Sequence, residues 1–266
     1  MKLAAQGLVF GYAGGPEYRD ISLELEQGGG ICALLGPNGA GKSALLRALA
    51  GILPLRGGRI LWGDEALSSL SRAERARRMA YLPQELPASP LSVYETVLLG
   101  RTPHLRFVPC RRDHQAVDRA LERLGLEGQR SRRQNELSGG ERRKALLALA
   151  LAQETPMLFL DEPAAGLDPC GGLEIYALLA ELCREENKLI LTAEHDLNLA
   201  ARCCARIILL HQGRIAAAGA PEAVLTPERL AGVYGLEAQV GQADGRPFIL
   251  PLRPLAARTQ PRAAIL

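Results

Sequence analysis

Aromatic side chains are scarce in this sequence, at 4% of residues, so alanine and leucine must supply most of the apolar surface. A large excess of either charge is also missing. The formal net charge is only +3, too small to argue for nucleic acid, and no nucleic-acid partner is expected. No apolar run approaches a membrane span: the longest, Ala145 to Ala152, has eight residues, against about 20 for a bilayer-crossing helix. The six cysteines form no C-x-x-C pair and have no histidines at zinc spacing. They read as small reduced thiols of a cytosolic protein, with exposure left open for Cys110 and Cys170. Met1-Lys2-Leu3-Ala4 runs into a strand-like segment without a long apolar stretch, so no secretory leader is expected.

The sequence does supply 266 residues, 47% hydrophobic and 23% charged, enough for one large domain or two small ones with a real core. Gly36-Pro37-Asn38-Gly39-Ala40-Gly41-Lys42-Ser43 fits G-x-x-x-x-G-K-[ST]. The apolar run Ile31 to Leu35 before it reads as a buried strand, and the segment after it has helical spacing up to Gly51. Glycines there let backbone N–H groups converge on phosphate oxygens at a helix start. In this reading Lys42 reaches the β- and γ-phosphates, and the Ser43 hydroxyl holds Mg²⁺. The chain is expected to bind a nucleoside triphosphate.

Upstream, Val9 to Tyr12 and Ile21 to Glu26 read as two strands around a Gly-Gly-Pro turn. Tyr12 fits two roles, a ring packed at a sheet edge or one lying flat on a purine. Downstream, Met79 to Gln84 reads as a strand ending in a glutamine able to reach Mg²⁺ and an attacking water, and Pro83 and Pro87 mark a loop after it. Residues 88–136 change to a basic helical insertion, either a solvated face or one turned to anionic lipid or a protein partner.

Ser138-Gly139-Gly140-Glu141 opens a helix running to about Gln153, and Ser138 with Glu141 makes a capping box. A capping box explains neither two glycines in the first turn nor Arg142, Arg143 and Lys144 at the positive end of the dipole. An anion accepted at close range explains both. Pro156 to Leu160 is an apolar strand ending in Asp161 and Glu162, an expensive place for carboxylates without a cation. Asp161 is assigned to the metal's water shell and Glu162 to the attacking water. Ala165-Gly166-Leu167-Asp168 comes next as a tight loop, and His195 closes a second buried strand, either as a structural histidine or in reach of a γ-phosphate. Residues from Gly245 onward, Pro-rich with four arginines and no acid, read as a surface tail.

Taken together these residues resemble an ATP-binding cassette (ABC) ATPase over about residues 3–240. Gly36–Ser43 is similar to the family's Walker A loop, Gln84 to its Q-loop, Leu137–Glu141 to its signature and Met157–Glu162 to its Walker B. Ala165–Asp168 is similar to the D-loop, His195 to the switch histidine and Tyr12 to the aromatic that stacks on adenine. Glu141, Leu149 and Ala165 depart from the commoner glutamine, arginine and serine.

The resemblance implies an α/β P-loop fold: a mixed, mostly parallel core sheet flanked by helices, an N-terminal antiparallel β subdomain and a helical insertion at about 88–150. It places the ATPase domain at 1–240 and a tail at 241–266. It also implies two copies packed head to tail, with Ser138, Gly139 and Gly140 of one facing ATP and Mg²⁺ on the other. Asp168 would contribute at the same junction, and the catalytic set would be Glu162, His195 and Gln84.

Leu99-Gly100-Arg101-Thr102-Pro103-His104-Leu105 and Glu194 to Arg202 are similar to importers of iron–siderophore, haem or cobalamin. That likeness implies transmembrane permease subunits, a substrate-binding protein acting through them, and a place at the cytoplasmic face of the plasma membrane. The other reading is a soluble ABC ATPase with non-transport partners, such as an iron–sulfur assembly component.

Overall fold

A computed structural model of the chain describes residues 1–84, 89–105 and 107–255; the expectation for Pro87 and the last eleven residues fall outside them. Strands β1 (Lys2–Gly11) and β2 (Glu17–Glu26) pair antiparallel from Lys2↔Glu26 to Gly11↔Glu17. Alternation in β2 buries Ile21, Leu23 and Leu25 and leaves Ser22 and Glu24 outside. β3 (Ile31–Leu35) is wholly buried and leads into helix α1 (Lys42–Leu49). β4 (Leu55–Trp62) and the short β5 (Glu65–Ala66) complete a four-stranded antiparallel sheet in the order β2-β1-β4-β5.

Helix α2 (Arg72–Arg78), which buries no residue, leads to β6 (Met79–Leu82). Three helices precede the next strand: α3 (Val93–Leu99), α4 (Arg111–Arg123) and α5 (Gly139–Ala152). Then come β7 (Met157–Asp161), α6 (Pro169–Glu185), β8 (Leu189–Ala193), α7 (Leu197–Cys203), β9 (Arg206–His211) and β10 (Arg214–Gly219). The second sheet runs β10-β9-β3-β8-β7-β6, with β9 to β6 parallel and β10 antiparallel at the edge.

The parallel strands are apolar along their whole length because both faces are covered. Leu34, Phe159 and Leu191 pack with α1 and the antiparallel sheet. Their neighbours Ala33, Leu35, Leu158 and Leu160 pack with α5 and α6. Carboxyl ends of β3, β6, β7 and β8 therefore share one edge, and the segments carrying Gly36–Ser43, Gln84, Glu162 and His195 leave from it.

The C-terminal region corrects the tail expected from Gly245 onward. After α8 (Pro221–Val224) and α9 (Pro227–Tyr234), β11 (Leu236–Ala243) and β12 (Arg246–Pro254) form an antiparallel hairpin. Its prolines sit in a two-stranded sheet, where a missing N–H costs no central ladder bond. The second edge of β12 is fastened at Ile249: its N–H donates to Asn198 Oδ1 (2.7 Å), and Asn198 Nδ2 donates to its carbonyl (3.0 Å). Pro247 and Ile249 are buried while Phe248, Leu250 and Leu252 face out, an alternation that the Pro-rich composition hides.

The segment Leu99 to Leu105 works as a staple. Arg101 is 1% exposed and donates to Asp113 Oδ1 (2.9 Å), the Ala152 carbonyl (2.7 Å) and Glu154 Oε2 (2.8 Å). Thr102 Oγ1 donates to the Leu99 carbonyl, and His104 Nε2 hydrogen-bonds the Gln153 carbonyl. These bonds tie the end of α3 to the start of α4 and the end of α5. Replacing Arg101 by methionine strands the buried Asp113 carboxylate. The expected loss is about 3–5 kcal/mol of stability, read as a lower urea midpoint at unchanged slope.

Candidate active site

The loop between β3 and α1 is shaped by its glycines. Gly36 and Gly41 have φ of 151° and 100°. A Cβ on Gly36 would stand 2.3 Å from the Leu210 carbonyl oxygen, and one on Gly41 would stand 2.5 Å from the Tyr18 ring. Side chains are thus excluded from the loop's inner wall, and backbone lines the cradle. Pro37, Asn38, Gly39 and Ala40 complete it, with Ala40 N donating to the Pro37 carbonyl (3.1 Å). Lys42 arches back and donates to the carbonyls of Gly36 (2.6 Å) and Pro37 (3.3 Å). Burial pushes its pKa down, against the pull of Glu162, Asp161 and Glu194.

Asp161 ends β7 at 2% exposure. Burial holds its carboxyl above the usual range, and the Ser43 hydroxyl works in the opposite direction. Glu162 comes next at φ 52°, a left-handed conformation costing about 1–2 kcal/mol for a residue with a Cβ. Its N–H donates to the Ala193 carbonyl (3.0 Å), fastening the turn to β8. Gln84 Nε2 donates to Glu162 Oε2 at 3.0 Å, and His195 Nδ1 lies 3.5 Å from the same oxygen. Three residues from separate strand ends thus meet around one carboxylate.

Tyr12 is 42% exposed and its hydroxyl accepts from Arg47 Nη1 (2.6 Å). Arg47 Nε also donates to the Tyr81 hydroxyl (3.0 Å), which in turn reaches Asp161 Oδ2 (3.4 Å). A hydrogen-bonded relay thus joins the Tyr12 ring to the Asp161 carboxylate. Sequence reasoning misses Arg47 and Tyr81, which lie 34 residues apart.

The second helix start is arranged differently from the expectation. Ser138 and Glu141 do form the capping box (Ser138 N to Glu141 Oε2, 2.9 Å; Glu141 N to Ser138 Oγ, 3.2 Å). Two of the three cations, however, have intramolecular roles. Lys144 pairs with Glu174 at 3.6 Å, and Arg143 is buried with its guanidinium on backbone carbonyls. Gly140 is explained by Leu167, whose Cδ2 would lie 2.9 Å from a Cβ there. Ser138, Gly139 and Arg142 are exposed, and no side-chain neighbour explains the glycine at 139. Asp168 is exposed too, and accepts from Gly171 N (2.7 Å) as the N-cap of α6.

Glu194 enters the sequence reading only as the first residue of the importer-like segment up to Arg202, with no site role of its own. It is 2% exposed, hydrogen-bonded by the Tyr176 hydroxyl, and pushed up to about 7, mainly by burial and further by Glu162 and Asp196. A cleft of about 380 Å³ opens beside it between Leu167, Asp168, His195 and Asn198; the Gly36–Ser43 loop does not line it.

Residues 18–165 match the ABC transporter family. The chain is 42% identical over 249 residues to the hemin import ATP-binding protein HmuV of Bordetella pertussis, covering 90% of this chain and 94% of that protein. It is 34% identical to the ferric enterobactin transport ATP-binding protein FepC of Escherichia coli, with 99% and 97% covered. Among solved structures, a proposed metal-chelate type ABC transporter in an inward-facing conformation is similar with a TM-score of 0.80 at 29% identity, over 94% of this chain and 97% of that one.

The raised Glu194 has a consequence for pH. Above the ordinary glutamate value of 4.5 an unfolded chain releases a proton that the folded one keeps up to about 7. The contribution of this group to stability is therefore complete at low pH and declines as pH rises across that window. Glu194→Gln should remove the decline, so its thermal midpoint should gain on the parent's between about pH 5 and 8. A constant offset over that range would assign the titration elsewhere.

Proposed function

Because this chain belongs to the ABC transporter family, we propose that it is the ATP-hydrolysing subunit driving import of a metal chelate through a membrane permease. The observation that carries the catalytic part is the meeting of Gln84, Glu162 and His195 beside the Gly36–Ser43 cradle and Asp161. The cargo class rests on the functions of relatives, hemin import and ferric enterobactin transport. Among the described residues no helix is long and apolar enough to cross a membrane, which fits a subunit docked on permease partners.

The triphosphate lies in the Gly36–Ser43 cradle, where backbone N–H groups and Lys42 hold its oxygens at a helix start. The Tyr12 ring, steadied by Arg47, carries the adenine. The donor set fits Mg²⁺: the Asp161 carboxylate, the Ser43 hydroxyl and the Gln84 amide are oxygen donors of the hard kind that ion takes. Held by Asp161, Ser43 and Gln84, Mg²⁺ would supply neutralisation of phosphate charge. Glu162 accepts the proton of the attacking water, and His195 braces the γ-phosphate from the other side of that carboxylate. Ser138, Gly139 and Asp168 serve in trans: a second copy packs head to tail and offers its exposed helix start to the first copy's nucleotide. ATP closes the pair, hydrolysis opens it, and the permease responds.

Replacing Glu162 by glutamine should lower kcat by about 10²–10⁴-fold and hold an ATP-bound dimer together in size-exclusion runs. Hydrolysis at the parental rate would remove Glu162 from this role. Pairing in trans has a separate check. Lys42→Ala and Ser138→Ala chains, each inactive alone, should regain ATPase when mixed, because every mixed dimer contains one intact pocket. Failure to regain activity would overturn the head-to-tail arrangement. Recovery of the protein in membranes only when permease subunits are co-expressed separates transport from a soluble role.

A further inference from the structure

Arg143 is the most heavily hydrogen-bonded side chain near the site, and no step of ATP hydrolysis at Glu162 draws on it directly. It sits in the second turn of α5 at 5% exposure. Its Nε donates to the Pro163 carbonyl (3.3 Å), and its Nη1 donates to the carbonyls of Pro83 (2.9 Å) and Gln84 (3.0 Å). Nη2 donates to the carbonyls of Asp161 and Glu162. Among the described residues it makes no ion pair. A buried guanidinium without a counter-ion is costly unless its donors are filled, and here a five-donor fork is spread over five acceptors.

Packing alone does not call for such a group. The α5 face that carries Arg143 continues with Leu147 and Ala150, both fully buried, and an apolar residue at 143 would continue that stripe. The position of the acceptors accounts for an arginine. Strands β6 and β7 pair up to Leu82↔Leu160. Past that rung they diverge, Pro83 has no N–H to offer, and Gln84 and Glu162 project from the unpaired ends. Arg143 takes over where the ladder stops. It also holds the carbonyl of Glu162, whose left-handed backbone persists only if its surroundings over-determine it.

The same helix begins five residues earlier at Ser138, and Gly140 lies against Leu167 of the loop after Glu162. We propose that Arg143 is a positioning residue for ATP hydrolysis, bolting the Ser138 end of α5 to the backbones of Gln84 and Glu162. The inference rests on the reading of Glu162 as proton acceptor. A shift of α5 when a second copy engages Ser138 is then transmitted to both side chains as one rigid piece.

The test uses the full-length chain with Arg143→Met, Arg143→Lys and Arg143→Ala, measuring ATPase kcat, KM and thermal midpoint. Misplacing the acceptor by about 1 Å predicts that Arg143→Met loses about 100-fold in kcat. KM for ATP should stay within about threefold, because the cradle is untouched. Arg143→Lys keeps the charge but not the fork, and should recover only a small part of the loss. Ethylguanidine should raise kcat of Arg143→Ala, while ethylamine should not, a response that a merely structural role does not produce. Parental kcat in a folded Arg143→Met chain overturns the proposal, as does a rise in KM matching the fall in kcat, or rescue by neither amine nor guanidine. Glu162→Gln, run alongside, separates the two readings. If it hydrolyses normally, the site assignment fails; if it is inactive while Arg143→Met is not, only Arg143 is misassigned.

Discussion

Negative charge gathered at one edge of a buried sheet is the constraint around which this molecule is built. Asp161, Glu162 and Glu194 leave the carboxyl ends of neighbouring strands, and all three act electrostatically on Lys42. In an apolar core that concentration is prohibitive unless cations and donors are fixed in advance. Each carboxylate is managed differently. Asp161 receives the Ser43 and Tyr81 hydroxyls, Glu162 is shared by Gln84 and His195, and Glu194 keeps its proton to about 7 under the Tyr176 hydroxyl.

Holding these groups in place needs positive charge that does not compete for phosphate. Lys42 can turn from the loop carbonyls to a ligand, but Arg47 and Arg143 are committed to the protein itself. Arg47 spans Tyr12 and Tyr81, so the exposed Tyr12 ring and the Asp161 carboxylate share one guanidinium. Arg143 spans the ends of β6 and β7. Both arginines exploit the planar, multi-donor geometry of guanidinium, which a lysine cannot reproduce.

Legibility in the sequence tracks locality. The phosphate loop, the acidic strand end and the capping box are read directly because the residue types that do the chemistry are contiguous and the geometry is set within a few residues. Arg143 is visible as a cation at an unfavourable helix start, but its acceptors lie about 20 and 60 residues away, so from sequence an anion outside the chain is the better partner. A second signal is present: positions 143, 147 and 150 share one helical face, and the last two are apolar. The hairpin Leu236–Pro254 is hidden by its prolines, which on an edge strand are compatible with pairing and in composition look like a tail. The segment Leu99 to Leu105 is readable as a family resemblance, while its physical content, an arginine staple between three helices, depends on Asp113 and Glu154.

The start of α5 shows how much of an expectation survives when its supports are taken one at a time. Three features point to an external anion: two glycines, a run of cations, and a serine cap. Leu167 accounts for Gly140, carbonyls account for Arg143, and Glu174 accounts for Lys144. Gly139 has nothing within 4 Å of where a Cβ would stand, and it costs a helix about 1 kcal/mol relative to alanine. A cost with no return inside the chain implies a return outside it. An exposed helix start with a serine hydroxyl and a bare backbone beside it fits a phosphate held on another surface.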